Sequence, residues 1–313
     1  MTVIEELRTL SEKTGRRDKS SAAAKEERAA YLLLLPWIIG LVGVTAGPML
    51  VSLYIAFTDY NLIQAPHWTG LHNISRMLSD PRLHNSLRVT FEYVVVSVPI
   101  QLIVALALAM LLDKGLRGLP LYRSVYYLPS LLGGSVAVAV LWRQIFGDHG
   151  LVNQLLGHLG IENAPAWVSD PSTALGTLIV LNVWTFGAPM VIFLAGLRQI
   201  PAIYYEAAKV DGASKWRQLR SITLPLLSPI IFFNLVLQII HAFQAFTQAF
   251  VVSSGTGGPS DSTMFYTLYL YQVGFNNFQM GYAAAMAWLL LLIVAALTAL
   301  NFYAARFWVF YDN

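Results

Sequence analysis

The chain has no cysteine in 313 residues, so disulfides, thiol nucleophiles and thiolate metal sites are all excluded. Charge is scarce as well: 12% of residues are Asp, Glu, Lys or Arg, against about 25% in soluble domains. No GxxxxGK[ST] phosphate loop occurs. The Gly-rich stretch Gly255–Pro259 lacks the lysine and reads as a loop. The six histidines show no HExxH spacing, and no residue set argues for catalysis or a metal. The basic residues of the first 30 positions alternate with Glu5, Glu6, Glu12, Glu26 and Glu27, which speaks against nucleic-acid binding.

What fills the chain instead is apolar: 56% hydrophobic residues, gathered into runs. A spanning helix needs about 20 of them. Six candidates run from Tyr31 to Phe57, Phe91 to Leu112, Leu121 to Trp142, Thr173 to Ala195, Pro225 to Val252 and Tyr282 to Val309. The expected class is an all-α membrane protein with six transmembrane helices. Residues 1–30 form a charged tail with no signal-peptide core, and the first apolar run reads as a retained span. Residues 31–313 form the membrane domain. Sixteen of the twenty Lys and Arg fall on the side of the N-terminus if the spans alternate; Arg76, Arg82, Arg88 and Arg143 fall on the other. That asymmetry places both termini in the cytoplasm.

Several finer expectations follow. Gly133-Gly134 read as ordinary membrane-helix glycines, a kink or close packing being the other reading. Leu71, Ile74, Met77 and Leu78, and Leu151, Val152, Leu155, Leu156 and Leu159, recur at helical spacing in the outer loops. Packing onto the bundle is the first reading for these helices and lying on the membrane face the second. Arg88 and Glu92, one turn apart, read as an interfacial ion pair, with a proton-coupling acid as the alternative.

Two features carry chemistry. In the fifth run Asn234, Gln238, His241, Gln244 and Gln248 fall within roughly 120° on a helical wheel. Neutral amides and a histidine suit hydroxyl groups, and Phe243, Phe246 and Phe250 lie beside them. The stripe either lines a solute pathway or joins helix to helix. Asn182 and Trp184 in the fourth run and Gln101 in the second are weaker candidates of the same kind. The other feature is polar and lies between the fourth and fifth runs: EAAKVDGASKWRQLRSITLPLLSP, from Glu206 to Pro229. Pro201 fits a first helical turn, Gly212 a backbone turn, Ser214 an N-cap and Pro225 the start of a span. The expected shape is helix, turn, helix, then membrane.

This segment resembles the EAA loop of ABC-importer permeases, with EAA at Glu206, Ala207 and Ala208, DGAS at Asp211 through Ser214, and ITLP at Ile222 through Pro225. The stretches GYAAAMAW from Gly281, RFWVFY from Arg306 and Gly70-Leu71-His72-Asn73 are similar to carbohydrate-type permeases. They sit nearer the F-type than the G-type maltose subunit, without the F type's extra spans and large outer domain. The resemblance runs from about Tyr31 onward. It implies the type I ABC importer permease fold in a bacterial inner membrane, with residues 202–225 as a coupling loop. Glu206, Ala207, Ala208, Asp211, Gly212 and Ala213 would then meet a partner ATPase, Glu206 against a basic residue. It also implies a second, G-type permease, two ATP-binding subunits holding ATP and Mg, an extracytoplasmic solute-binding protein, and a carbohydrate passing beside Asn234, Gln238, His241, Gln244, Gln248 and Asn182. No cofactor is expected on this chain. The competing class is an ion-coupled secondary transporter, which calls for membrane acids or broken helices; the sequence shows neither plainly.

Overall fold

A computed structural model describes residues 26–115, 118–161 and 164–310; the tail before residue 26 lies outside the described residues. Among the described residues the regular structure is helical apart from one isolated bridge, Thr58 to Trp68, with turns and loops between the helices. Helix α1 (Glu26–Ile55) is long and apolar, and none of its spanning window is buried inside the protein. A short α2 (His72–Ser79) leads into α3 (Pro81–Asp113), 33 residues and about 50 Å long. Helix α3 starts where it does because Asp80 caps it, accepting from the Arg82 and Leu83 N–H groups, with Pro81 in the first turn.

Next come α4 (Leu119–Leu132) and α5 (Val136–Ile145), then a short α6 (Leu151–His158). Helices α7 (Ala174–Trp184) and α8 (Gly187–Leu197) pack with α3 to form the centre of the bundle. Helix α9 (Ala202–Val210) and α10 (Lys215–Gln218) build the polar loop, and α11 (Leu224–Phe243) re-enters the apolar layer. Helices α12 (Thr247–Val252), α13 (Tyr266–Tyr271) and α14 (Met280–Ala305) complete the chain. Four helices are individually long and apolar enough to cross a membrane, or six crossings in all if the pairs α4–α5 and α7–α8 each count as one.

Several expectations change here. The third run is not a straight helix: α4 and α5 meet at 95° across Gly133, Gly134 and Ser135. A side chain on Gly133 would collide with Thr185, so this glycine serves both a bend and a close approach. The fourth run bends by 40° between α7 and α8. The fifth run ends at Phe243, and Gln248 sits on the separate α12 after a non-helical break. Broken helices are therefore present. Among the described residues Arg88 and Glu92 form no ion pair; both are exposed on a groove of α3.

The far-side helices pack onto the bundle with only part of their apolar residues, Met77 in the first and Val152 and Leu156 in the second. In α2 it is Asn73 and Met77 that are buried, the Asn73 amide donating to the Ala56 and Thr58 carbonyls, while Leu71, Ile74 and Leu78 are exposed. Leu151, Leu155 and Leu159 of the α6 segment likewise point outward.

Opposite the polar loop, one polar clamp closes the bundle. Asp80 accepts from the hydroxyls of Tyr269 and Tyr282, 2.7 Å each. Arg82 makes two hydrogen bonds to Asp261, and Arg76 lies 4.0 Å over the Tyr282 ring while donating to Gln279. The start of α3 is thereby joined to α13, α14 and the loop that precedes α13.

Candidate functional site: a polar loop and a layer of broken helices

The loop is built from local chemistry. Pro201 takes the N-cap position of α9, one residue before the helical turn expected for it. At the other end Gly212 adopts φ +73°, the left-handed region open to glycine. Its N–H donates to the Lys209 carbonyl and the next N–H, Ala213, reaches back to Ala208 at 2.8 Å. That pair of bonds closes the α9 C-terminus. Ser214 caps α10 through Arg217 N–H, and the Gln218 amide donates to the Ala213 carbonyl. The second arm is not a free helix: α10 runs through one widened turn, Leu219–Thr223, directly into α11. The expected helix, turn, helix, membrane is thus helix, turn, and one continuous helix into the membrane.

One hydrogen bond ties α9 to the bundle, and one ion pair holds the segment just before it. The Tyr205 and Thr223 hydroxyls meet at 2.9 Å, and Arg198 reaches Asp113 at the end of α3, 3.6 Å away. Glu206, Ala207, Asp211 and Gly212 stand exposed, with Ala208 and Ala213 half-buried. The sequence reading passed over the apolar residues that share this surface. Val210 is 88% exposed and Trp216 71%, with Ile203 and Tyr204 also open. Glu206, Lys209, Trp216, Tyr205 and Asp113 line a groove of about 750 Å3. The signal was available: large apolar residues inside a polar loop leave apolar surface exposed beside charged groups.

The second site is a layer inside the bundle where the third, fourth and fifth runs all break. A broken helix in an apolar layer leaves carbonyls that need donors. Gln101 of α3, almost fully buried, donates to the Thr185 carbonyl and hydroxyl at the α7–α8 break. Ser130 of α4 donates to the same carbonyl and accepts from Ala188 N–H. Gln248 donates to the Gly133 carbonyl at the α4–α5 bend. Asn182 contacts Gln101 at 3.5 Å.

The five-residue stripe is therefore divided. Gln248 joins the layer that also holds Asn182. Asn234 is fully buried, bonded to the Ile230 carbonyl, with its own side-chain oxygen unpartnered. Gln238 is half-buried, and His241 and Gln244 are exposed on the bundle surface. Phe243 is buried against Phe91 and does not accompany the amides. Phe246 and Phe250 do: with Tyr271 and Phe275 they form a continuous aromatic track, neighbouring centroids 5.2–5.6 Å apart. Arg143 stands at its far end, donating to the Ser254 hydroxyl at 2.6 Å. Amides beside half-open rings can bind hydroxyls and apolar ring faces together. Tyr271 and Phe275 went unread in the sequence because they come from a different segment.

Comparison with known proteins agrees with this geometry. Residues 74–308 match the family described as "Binding-protein-dependent transport system inner membrane component". The chain is 49% identical to a probable ABC transporter permease protein, YesP, of Bacillus subtilis, over 94% of this chain and 96% of the relative. It is 36% identical to the lactose transport system permease protein LacF of Rhizobium radiobacter, over 76% and 81%. Among solved structures, a bacterial ABC transporter involved in the import of the acidic polysaccharide alginate superposes with a TM-score of 0.75 at 20% identity. That match covers 92% of this chain and 98% of the other.

Proposed function

The chain belongs to the binding-protein-dependent transport system inner membrane components, the permease subunits of ABC importers, and on that premise we propose that it is one half of a carbohydrate importer's membrane pathway. Membership makes it a transport component rather than an enzyme, with the type I permease fold, and sets aside an ion-coupled secondary transporter. The proposal adds the solute, the partners and the orientation.

The observation that carries it is the α9–Gly212–α10 loop. It is a capped element with outward Glu206, Val210 and Trp216, tied by Tyr205 to the base of α11, while Arg198 just before it pairs with the end of α3. An ATP-binding subunit fits that surface, with ATP and Mg held there and not on this chain. Closure of two such subunits would pull α9, and α9 would pull the bases of α3 and α11. A second, G-type permease would face this chain across the pathway. A solute-binding protein would deliver from the side of the Asp80 clamp. Both termini, with the tail of residues 1–30, would lie on the ATPase side of a bacterial inner membrane, as the Lys and Arg distribution favours. A sugar is the solute that suits the Phe246–Phe250–Tyr271 track and the neighbouring amides Gln244 and Gln248, and the relative LacF supports the class.

The test is co-purification of the tagged chain from its host in mild detergent. A second permease and an ATPase in stoichiometric amounts, with ATP hydrolysis stimulated by one carbohydrate, is the expected result. A chain that purifies alone and still transports in liposomes overturns the proposal. In the same assembly, Glu206→Lys combined with Gly212→Pro abolishes uptake.

A further inference from the structure

Helix α6 carries its leucines toward the outside. On a helical wheel Leu151, Leu155 and Leu159 fall within about 80° of one another, and Val152 and Leu156 extend the same apolar arc. Val152 and Leu156 are half-buried against the protein. The other three are 59%, 63% and 77% exposed.

This orientation is held by hydrogen bonds. Asn153, on the opposite side of the helix, donates to the carbonyls of Asp148 and Pro165 and accepts from the Trp167 indole at 2.6 Å. The neighbouring Gln154 donates to the His149 carbonyl. Rotating the helix to bury the leucines would break these bonds.

We propose that α6 lies in the membrane–water boundary on the side opposite the Glu206 loop, with the Leu151–Leu155–Leu159 row sunk in the lipid of that leaflet. The row continues an apolar surface already in the membrane: α5, directly before it, exposes Val136, Val140 and Leu141. Helix α4 alone rises about 21 Å, short of a hydrocarbon core of about 30 Å, and α5 departs from it at 95°. The third crossing thus ends in a shelf along the leaflet, and α6 extends that shelf to its polar edge. From Gly150 to Ile161 there is no Lys, Arg, Asp or Glu, so the segment carries no charge to keep it out of lipid or to select a charged partner. Gln154 and Gly157 lie away from the leucine row on the wheel, and Trp142 and Trp167 supply the aromatic residues common at this depth. The shelf anchors the outer half of a broken crossing, so that α4 can pivot at Gly133 while α5 and α6 keep their depth.

The absence of native cysteine makes the test direct. Single substitutions Leu155→Cys, Leu159→Cys, Gln154→Cys and Gly157→Cys (a Cβ at Gly157 meets open space) each take one nitroxide on this chain, in the full assembly with cysteine-free partners reconstituted into liposomes. Collision rates with oxygen and with a water-soluble nickel chelate are then read by spin resonance. The expected result is high oxygen and low nickel accessibility at positions 155 and 159, with the ratio reversed at 154 and 157. High nickel accessibility at 155 and 159 places the row in water, and low accessibility to both reagents places it under another protein chain; either overturns the proposal. Solute uptake by the same labelled liposomes tests the importer reading separately.

Discussion

Asp80 concentrates more structure on one side chain than any other residue opposite the loop. Partial burial pushes its carboxyl pKa up. Hydrogen bonds from Tyr269, Tyr282 and the N–H groups of Leu83 and Arg82 outweigh that and hold it below the ordinary value. Asp80→Asn leaves one oxygen for the helix cap but puts an NH2 donor where two tyrosine hydroxyls need an acceptor. A hydrogen bond to a charged group is worth about 1.5–3 kcal/mol, and the half-open rim puts this one near the lower end. The variant should show a lower unfolding midpoint in detergent. Because the folded carboxyl titrates below its unfolded value, the stability it supplies is fully present above about pH 5 and disappears as the pH falls below about 4. The gap between wild type and variant should be constant at neutral pH and close in acid. Gly212 is the other single position with a definite cost. Alanine at φ +73° should cost about 1–2 kcal/mol, seen as reduced recovery of the ATPase with Gly212→Ala and less reduction with Gly212→Asn.

At the scale of elements, the three broken crossings explain one another. Each break exposes backbone groups, and the donors come from a neighbouring helix: Gln101 and Ser130 to Thr185, Gln248 to Gly133, and Thr267 to Ala245. Polar side chains between membrane helices are worth about 0.6 kcal/mol on average and up to about 1.7. Gln101→Leu and Gln248→Leu should each cost that order. If the breaks form one layer, the double substitution should depart from additivity by at least about 0.5 kcal/mol in a thermal double-mutant cycle. Strict additivity would mean two independent struts. The helices were legible because apolar runs of about 20 residues are a strong signal, and the loop was legible because Gly212, Ser214 and Pro225 each have one local role. The breaks were not. Gly133-Gly134 looks the same in a straight helix and a bent one, and the bend depends on Thr185 and Gln248, distant in sequence. Which leucines of α2 and α6 point outward was not legible for a related reason. Periodicity shows that a helix is two-faced, but which face meets the protein is decided by Asn73 and Asn153, through carbonyls on other segments.

For the molecule as a whole, the proposed coupling raises the question of how a push on the loop would reach a layer of breaks inside the bundle. The mechanical path is short. Helix α9 meets the base of α11 through Tyr205 and Thr223, α10 continues into α11 without a hinge, and Arg198 holds the approach to α9 against the end of α3. Helix α3 carries Gln101, and α11 leads to α12 and Gln248, so both long helices end their path at the same layer. If α9 transmits the stroke through Tyr205, removing only its hydroxyl should loosen coupling while leaving the docking surface whole. Tyr205→Phe keeps the ring and its burial and deletes one hydrogen bond of about 1 kcal/mol, about a fivefold change in the population of the engaged state. In proteoliposomes containing the complete assembly, ATP hydrolysis should persist at near its usual rate while solute imported per ATP falls by up to about fivefold. Equal loss of both would place Tyr205 in docking rather than transmission. An unchanged ratio would show that the continuous α10–α11 helix carries the stroke alone.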